Sequence, residues 1–518
     1  MDYDPVGIPR SSFIVSKKLT MKHLKYIISV FLLVVAANSC QKFDDLEADP
    51  NRSTTVPPSL VLRGILVDMY KAPWSAEQRW NQYWCSNYAY YDTNEYWTGS
   101  ASLNYTTLKN VQKMEEEAAR IGLPAVNAYS ALGKLFRAYF YYDMTMKVGD
   151  IPLSQALQSS ENTAPAYDTQ KEVFKQILSW LEDANTDLGA RIAASDNTLA
   201  GDIYFNGDLR KWQKAVNAFK LRVLAQLSKK DADADLNIKA EFNKMLGDAA
   251  KYPFLGGNSD NLQFTFNSVT DKYPFSPDNF GFYADRYNTS ASYVSTLASL
   301  EDPRVFVVAE PAPAQLAAGL TAADFAAYVG APSDEDLSTM ATKVQGGIYS
   351  RISKARYFSN YAAEPSIQIG YPEMCFNIAE GINRGWATGD AKSWYDKGVT
   401  ASMNFYDITD AAAIATYLSA AKTGYKGNNA DGLAQILVQK YLALAQHSGL
   451  EGYYNWRRTN TPVFYQGGPG TGNSGVIPRR FQYPTNELNN NTVNYNTALS
   501  RQFGNTDDNI NDELWIVK

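Results

Sequence analysis

Histidine is almost missing from this chain: His23 and His447 are the two in 518 residues. Imidazole-built metal centres, and Ser-His or Cys-His catalysis spread over several histidines, are excluded. A lone histidine inside a helical pattern, as His447 is, reads as structural. Cysteine is scarce as well, at positions 40, 85 and 375. A chain of this size with so few thiols relies on its core and not on a disulfide framework, and no spacing pairs Cys85 with Cys375. The run Tyr26 to Ala37 has twelve residues, short of the about 20 that a bilayer-crossing helix needs. Positive charge is in deficit, 48 Lys and Arg against 54 Asp and Glu for a net charge of −6. Such a surface repels phosphate backbones and argues against a nucleic-acid partner.

What is present begins with a leader. Lys22, His23 and Lys25 precede the apolar run, and small and polar residues lead to Cys40. That is the order of an export signal, and cleavage before Cys40 would leave the N-terminal cysteine that a bacterial lipoprotein pathway acylates. Ala37 stands where such signals usually carry Leu or Val, so a secretory signal with an unmodified cysteine is the alternative. Asp2, Asp4, Pro5 and Pro9 suit no export signal, which points to Met21 as the true start. Asp44 and Asp45 resemble the acidic surface-export signal of outer-membrane lipoproteins. From Cys40 the chain has 479 residues, 43 Lys and Arg against 52 Asp and Glu, net −9. Residues 40–58, with Asp49-Pro50-Asn51 and Pro57-Pro58, read as a tether, and 59–518 as a single domain.

Tyrosine is the compositional outlier, at 35 residues beside 23 Phe and 10 Trp. Its flat apolar face and polar tip suit both cores and surfaces that stack on sugars or peptides. Aromatics are densest from Trp74 to Trp97. Trp80, Tyr83, Trp84 and Asn87 lie at helical spacing and predict one buried helix face. Tyr88 to Trp97, broken by Asp92, Asn94 and Gly99, predicts a loop. One reading makes all these rings core; the functional reading makes Trp84, Tyr88, Tyr91 and Trp97 a platform that stacks on a ligand.

Most of the remaining chain is helical in pattern. A helix from Ser59 carries Leu60, Leu62, Leu66, Val67 and Tyr70 as a rough stripe. Helices over 106–120 and 127–146 follow, the second stopped at Gly149-Asp150-Ile151-Pro152. Asp168 or Thr169 caps another, with Phe174, Ile177, Leu178, Leu181 and Leu188 on one face. A further helix starts near Asp208 with Trp212, Val216, Phe219 and Val223 inward. The middle third, 252–360, is interrupted by Pro, Gly and Asn, and such stretches carry function more often than scaffold. From Tyr371, Cys375, Ile378, Ala379, Ile382, Ala391, Tyr395 and Gly398 fall at the spacing of a tetratricopeptide repeat, with small residues where two helices approach closely. A helix over 432–447 follows, and from Gly449 the chain reads as coil. Stacked helix pairs bury such single stripes.

Two chemical signatures fail. Gly470-Thr471-Gly472-Asn473-Ser474-Gly475 matches G-x-G-x-x-G, but Val476-Ile477-Pro478 follows where a phosphate cradle needs a helix, so it reads as a mobile loop. No local signature promotes a carboxylate pair to the two facing acids of a glycosidase. No catalytic residue, metal site or cofactor is expected.

The ordered motifs resemble the SusD/RagB family of nutrient-binding outer-membrane lipoproteins, in its second, divergent branch. They run from Asp49-Pro50-Asn51 through Trp80 with Tyr83, Gly149 to Pro152, Asp202 with Tyr204, Gly207 and Asp208, and Trp212 with Asn217 and Arg222. They continue with Asp302-Pro303-Arg304, Tyr371-Pro372-Glu373, Ala379-Glu380, Trp456-Arg457-Arg458, Ile477 to Arg480, and Tyr483-Pro484 with Glu487. The resemblance implies a mainly α fold of tetratricopeptide-like helix pairs in a right-handed superhelical scaffold, with a long loop-rich ligand face. It implies a lipid on Cys40 and a location at the outer membrane facing the exterior, and as partner a SusC-like TonB-dependent outer-membrane transporter. The family's ligand residues do not transfer, because they vary with the nutrient. Glu373 and Glu380 are read as partners of arginines in the scaffold. The ligand is expected to be an oligosaccharide; a peptide, as for RagB-like members, is the alternative, and a glycoside hydrolase a third.

Overall fold

The structure is a computed structural model that describes Tyr26 and residues 55–90, 92–158 and 161–518. The chain divides into two compact units, of which the second, Pro57–Lys518, carries the helices and strands of the scaffold. Cys40 and the leader apart from Tyr26 lie outside the described residues.

The helices of the scaffold are α1 Pro58–Asp68, α2 Tyr105–Arg120, α3 Ala128–Val148, α4 Gln170–Ala193, α5 Leu209–Gln226 and α6 Ile238–Gly247. After a long irregular stretch come α7 Tyr371–Asn383, α8 Ala391–Phe405, α9 Ala411–Ser419, α10 Ala430–Ala443, α11 Glu451–Thr459 and α12 Thr492–Phe503. Successive helices pack on one another from α1 to α5, α5 also packs on α7, and α7 on α8 and α10. The fold is therefore mainly α, built of tetratricopeptide-like pairs. Two short antiparallel ladders cross the loop-rich side: β1 Trp84–Ser86 with β3 Tyr287–Thr289, and β2 Leu262–Phe264 with β4 Ser366–Ile369.

Local chemistry sets the helix ends. Thr169 accepts from the Glu172 amide at the start of α4, and Asp208 from the Arg210 and Lys211 amides at the start of α5, worth about 1 kcal/mol each. The expected inward faces of α4 and α5 are buried, and each large apolar side chain so placed contributes about 1.5–3 kcal/mol. In the repeat-like pair, a Cβ on Gly398 would stand 2.8 Å from the Phe376 ring, so α8 closes on α7 only with glycine there.

Three local expectations are corrected. α1 uses one narrow face, Leu62, Ile65, Leu66 and Met69, leaving Leu60 and Val67 in solvent. No helix spans 80–87: the turn Ala76–Trp80 ends where Gln82 takes a left-handed φ of 58°, and the chain runs extended into β1. The C-terminal stretch is not all coil: it holds α11, α12 and the short helix Thr485–Asn490, and the tyrosines and arginines of α11 find buried partners across the fold.

The arginine readings hold. Arg222 donates to both Glu373 carboxylate oxygens, at 2.7 and 2.5 Å, and Arg458 and Arg384 both donate to Glu380. Asp302 and Arg304, fully buried, pair at 2.9 and 2.6 Å. Asp202 collects the Tyr204, Phe205 and Gly207 amides and the Trp212 indole, tying the α5 approach to the core.

Candidate ligand-binding face

The β1/β3 ladder pairs Trp84 with Thr289, Cys85 with Asn288 and Ser86 with Tyr287. One further backbone bond, from the Asn87 amide to the Arg286 carbonyl at 2.8 Å, carries the pairing past the strand ends. The loop that follows Ser86 and the loop that begins with the short helix Phe280–Tyr283 thus meet at this end of the ladder. Asn94 folds back to accept from the Ser86 amide at 2.7 Å and donate to its carbonyl at 2.8 Å, satisfying a backbone edge the loop would otherwise strand.

At the tip of these loops Tyr88, Tyr90 and Phe282 are 49%, 82% and 38% exposed. The Arg286 guanidinium lies 3.5 Å from the Phe282 ring centre and 5.5 Å from that of Tyr88, and it donates to the Phe282 carbonyl. Such contacts are worth about 0.5–1 kcal/mol at exposed sites, a bias that favours the two rings facing the same guanidinium. Behind them a ring layer runs inward: Tyr283 on Tyr287 at 5.1 Å, Tyr287 on Trp84 at 4.3 Å, and Phe275 on Phe358 at 4.7 Å. Two neighbouring acids are paired, Asp92 with Arg79 and Asp285 with Arg351, and Glu95 is left exposed. The result is a ring-rich surface backed by a layer of packed rings, with flat faces open to solvent.

The rings expected to form the platform separate. Tyr88 lies on this face, and Tyr91 falls outside the described residues. Trp84 and Trp97 are corrected: they are 1% and 7% exposed and belong to the interior. The extended backbone of β1 turns Trp84 in against Tyr287, with the Arg79 guanidinium 5.3 Å from its ring centre. Trp97 stacks on Phe481 at 3.9 Å and 6°, and its indole N–H donates to the Arg480 carbonyl at 2.9 Å. Phe282 and Arg286 were missed, for they lie almost two hundred residues away in the irregular middle third. The only signal was the aromatic density around Phe280, Phe282, Tyr283 and Tyr287.

The other chemical candidates are structural. His447 accepts from the Ile367 amide through Nδ1, and burial pushes its pKa down to about 3, so the ring is neutral. Cys85 and Cys375 are buried free thiols, and burial raises both to about 12. Among the described residues no three or more His, Cys, Asp or Glu side chains gather as a metal site. The glycine-rich run is pinned instead of mobile: Gly470 donates to the Asp334 carbonyl at 2.9 Å, and a Cβ there would lie 2.2 Å from the Glu335 carbonyl oxygen. Its glycines serve close backbone contact.

The chain matches the SusD-like family described as "Starch-binding associating with outer membrane" over residues 50–484. It is similar to a solved SusD homologue from Bacteroides fragilis, with 32% identity, 89% of this chain and 100% of that one covered, and a TM-score of 0.80. A Bacteroides vulgatus protein whose description links it to the outer membrane and to nutrient binding gives 32% identity, 89% and 100% coverage and a TM-score of 0.78. A chitin-binding SusD homologue from Flavobacterium johnsoniae, 19% identical over 89% of this chain and 98% of that one, shares the fold with a TM-score of 0.69. No curated protein matches. With most of its length matched in order and the arginine-carboxylate scaffold in place, the chain belongs to the SusD-like family.

Proposed function

We propose that this protein captures a nutrient glycan at the outer membrane and passes it to a SusC-like TonB-dependent transporter, held at the cell exterior by a lipid on Cys40. The observation that carries the reading is the pair of exposed rings Tyr88 and Phe282, braced by Arg286, with the exposed Tyr90 two residues along the same loop. Sugar rings present flat C–H faces to such surfaces, while exposed polar groups beside them, Thr93 and Glu95, are available for hydroxyls. Family membership and the chitin-binding relative support a glycan over a peptide. The role is binding and not hydrolysis: Asp92 and Asp285 are held by arginines, and Glu373 and Glu380 are buried in ion pairs.

Isothermal titration of the mature chain against chitin and starch oligosaccharides, with a tryptic protein digest as the peptide arm, tests this. Tyr88→Ala and Phe282→Ala are each expected to weaken the bound glycan about tenfold, the loss of about 1.4 kcal/mol of stacking. Heat with the digest alone, or glycan binding unchanged in both variants, refutes the proposal. Palmitate labelling of the expressed precursor, lost in Cys40→Ala, tests the anchor, and co-purification with a β-barrel transporter from solubilised outer membranes tests the partner.

A further inference from the structure

A cavity of about 720 Å³, sharing no residue with the aromatic face, opens between α8 and the turn 256–258. Tyr371, at the head of α7, forms part of its wall. The turn is fixed to the helix, since Asn258 Nδ2 donates to the Ala401 carbonyl at 2.8 Å, so the groove is formed before any ligand arrives. Its volume is that of small-molecule sites in general.

The lining has an order that a merely solvated helix face does not need. Ser393, Lys397, Thr400 and Asn404 follow one another at steps of four, three and four along α8 and share its groove side. None of these side chains hydrogen-bonds to another described residue; Lys397 rests its ammonium 4.3 Å from the Trp394 ring centre. A hydroxyl, an ammonium, a hydroxyl and an amide are thus presented about one per helical turn, about 5.4 Å apart and about 16 Å in all. One turn is close to the length of one hexose unit. Across the groove the bare backbone of Gly256 and Gly257 and the half-buried Tyr371 ring supply a smooth wall. The charges cancel: Lys392 is bound to Asp396 at 2.5 Å, and Asp390, which caps α8 through the Ser393 amide, offsets Lys397. A balanced lining gives no advantage to phosphate or carboxylate ligands and favours an uncharged, hydroxyl-rich chain.

We propose that this groove is a second saccharide site, taking a neutral oligosaccharide of about three units. It stands independently of the aromatic face, and a failure of one leaves the other intact.

Lysine footprinting tests it: the mature protein is acetylated with and without millimolar maltotriose or chitotriose, and modification of Lys397 is read by mass spectrometry. Several-fold protection by at least one of the two is expected in the native chain and in Tyr88→Ala, and none in Thr400→Trp, which fills the groove from a half-exposed position. The double variant Ser393→Ala/Asn404→Ala removes the polar groups without adding bulk and is expected to lose protection too, so the result does not hang on one substitution. No protection by either sugar, protection retained in Thr400→Trp and the double variant, or stronger protection by trigalacturonate overturns the proposal. Protection lost in Tyr88→Ala overturns its independence.

Discussion

Replacing Trp97 with alanine separates core from ligand face, and its cost can be worked from the contacts. The ring is 7% exposed, stacked on Phe481 at 3.9 Å and met edge-on by Trp80 at 4.9 Å and Tyr453 at 5.1 Å. Truncating a packed Trp costs about 3–5 kcal/mol, the transfer term plus the void that rigid neighbours cannot fill. The Arg480 carbonyl loses its indole donor as well, which costs about 1–3 kcal/mol if water does not replace it. The sum, about 4–8 kcal/mol, is a large part of the about 5–15 kcal/mol that holds a folded protein together. Urea unfolding of the mature chain, followed by circular dichroism, is therefore expected to show Trp97→Ala with a much lower midpoint, and Trp97→Phe with an intermediate one. Ligand affinity of the still-folded fraction stays near that of the parent. An unchanged midpoint together with lost glycan binding would mean that the ring faces the ligand, and the assignment of Trp97 to the interior would be wrong.

Other expectations follow from the same contacts. Glu373→Gln leaves the Arg222 guanidinium buried beside a neutral partner, so a loss of about 3–5 kcal/mol is expected in the same unfolding assay, against under about 0.5 kcal/mol for Asp285→Asn at the surface. Gly381→Ala is expected to destabilise by about 1–3 kcal/mol, because its methyl would stand 2.2–2.7 Å from the Phe242 ring, and Phe242→Leu in the same chain should restore part of that. Two buried groups give opposite pH slopes. His447 is held neutral, its pKa lowered from 6.5 to about 3 by burial, so its share of stability is present above pH 6.5 and is lost as pH falls towards 3. Burial raises Glu364 from 4.5 to about 7 against the pull of Arg356, so its share is present below pH 4.5 and is lost as pH rises through 7. Unfolding free energy measured from pH 4.5 to 6.5 is therefore expected to rise with pH more steeply in Glu364→Gln than in the parent; parallel curves would refute the assignment of a protonated Glu364.

The sequence by itself determined the helical scaffold. Periodic apolar faces such as Phe174 to Leu188, the caps Thr169 and Asp208, and the small residue Gly398 are local signals, set by neighbours three or four residues away. It also determined the fate of Glu373 and Glu380, since an ordered set of arginines and acids in a helical frame leaves few other partners. Only the tertiary structure decided which aromatic rings meet solvent. Trp84 sits in a stretch of helical spacing and Tyr88 and Trp97 in a loop-like run, yet burial depends on what packs against each: Tyr287 lies over Trp84 and Phe481 over Trp97, while Tyr88 stays exposed beside an arginine from a distant segment. A short ladder joining two irregular stretches has no period in either of them, so the face it builds could not be read until the chain was folded.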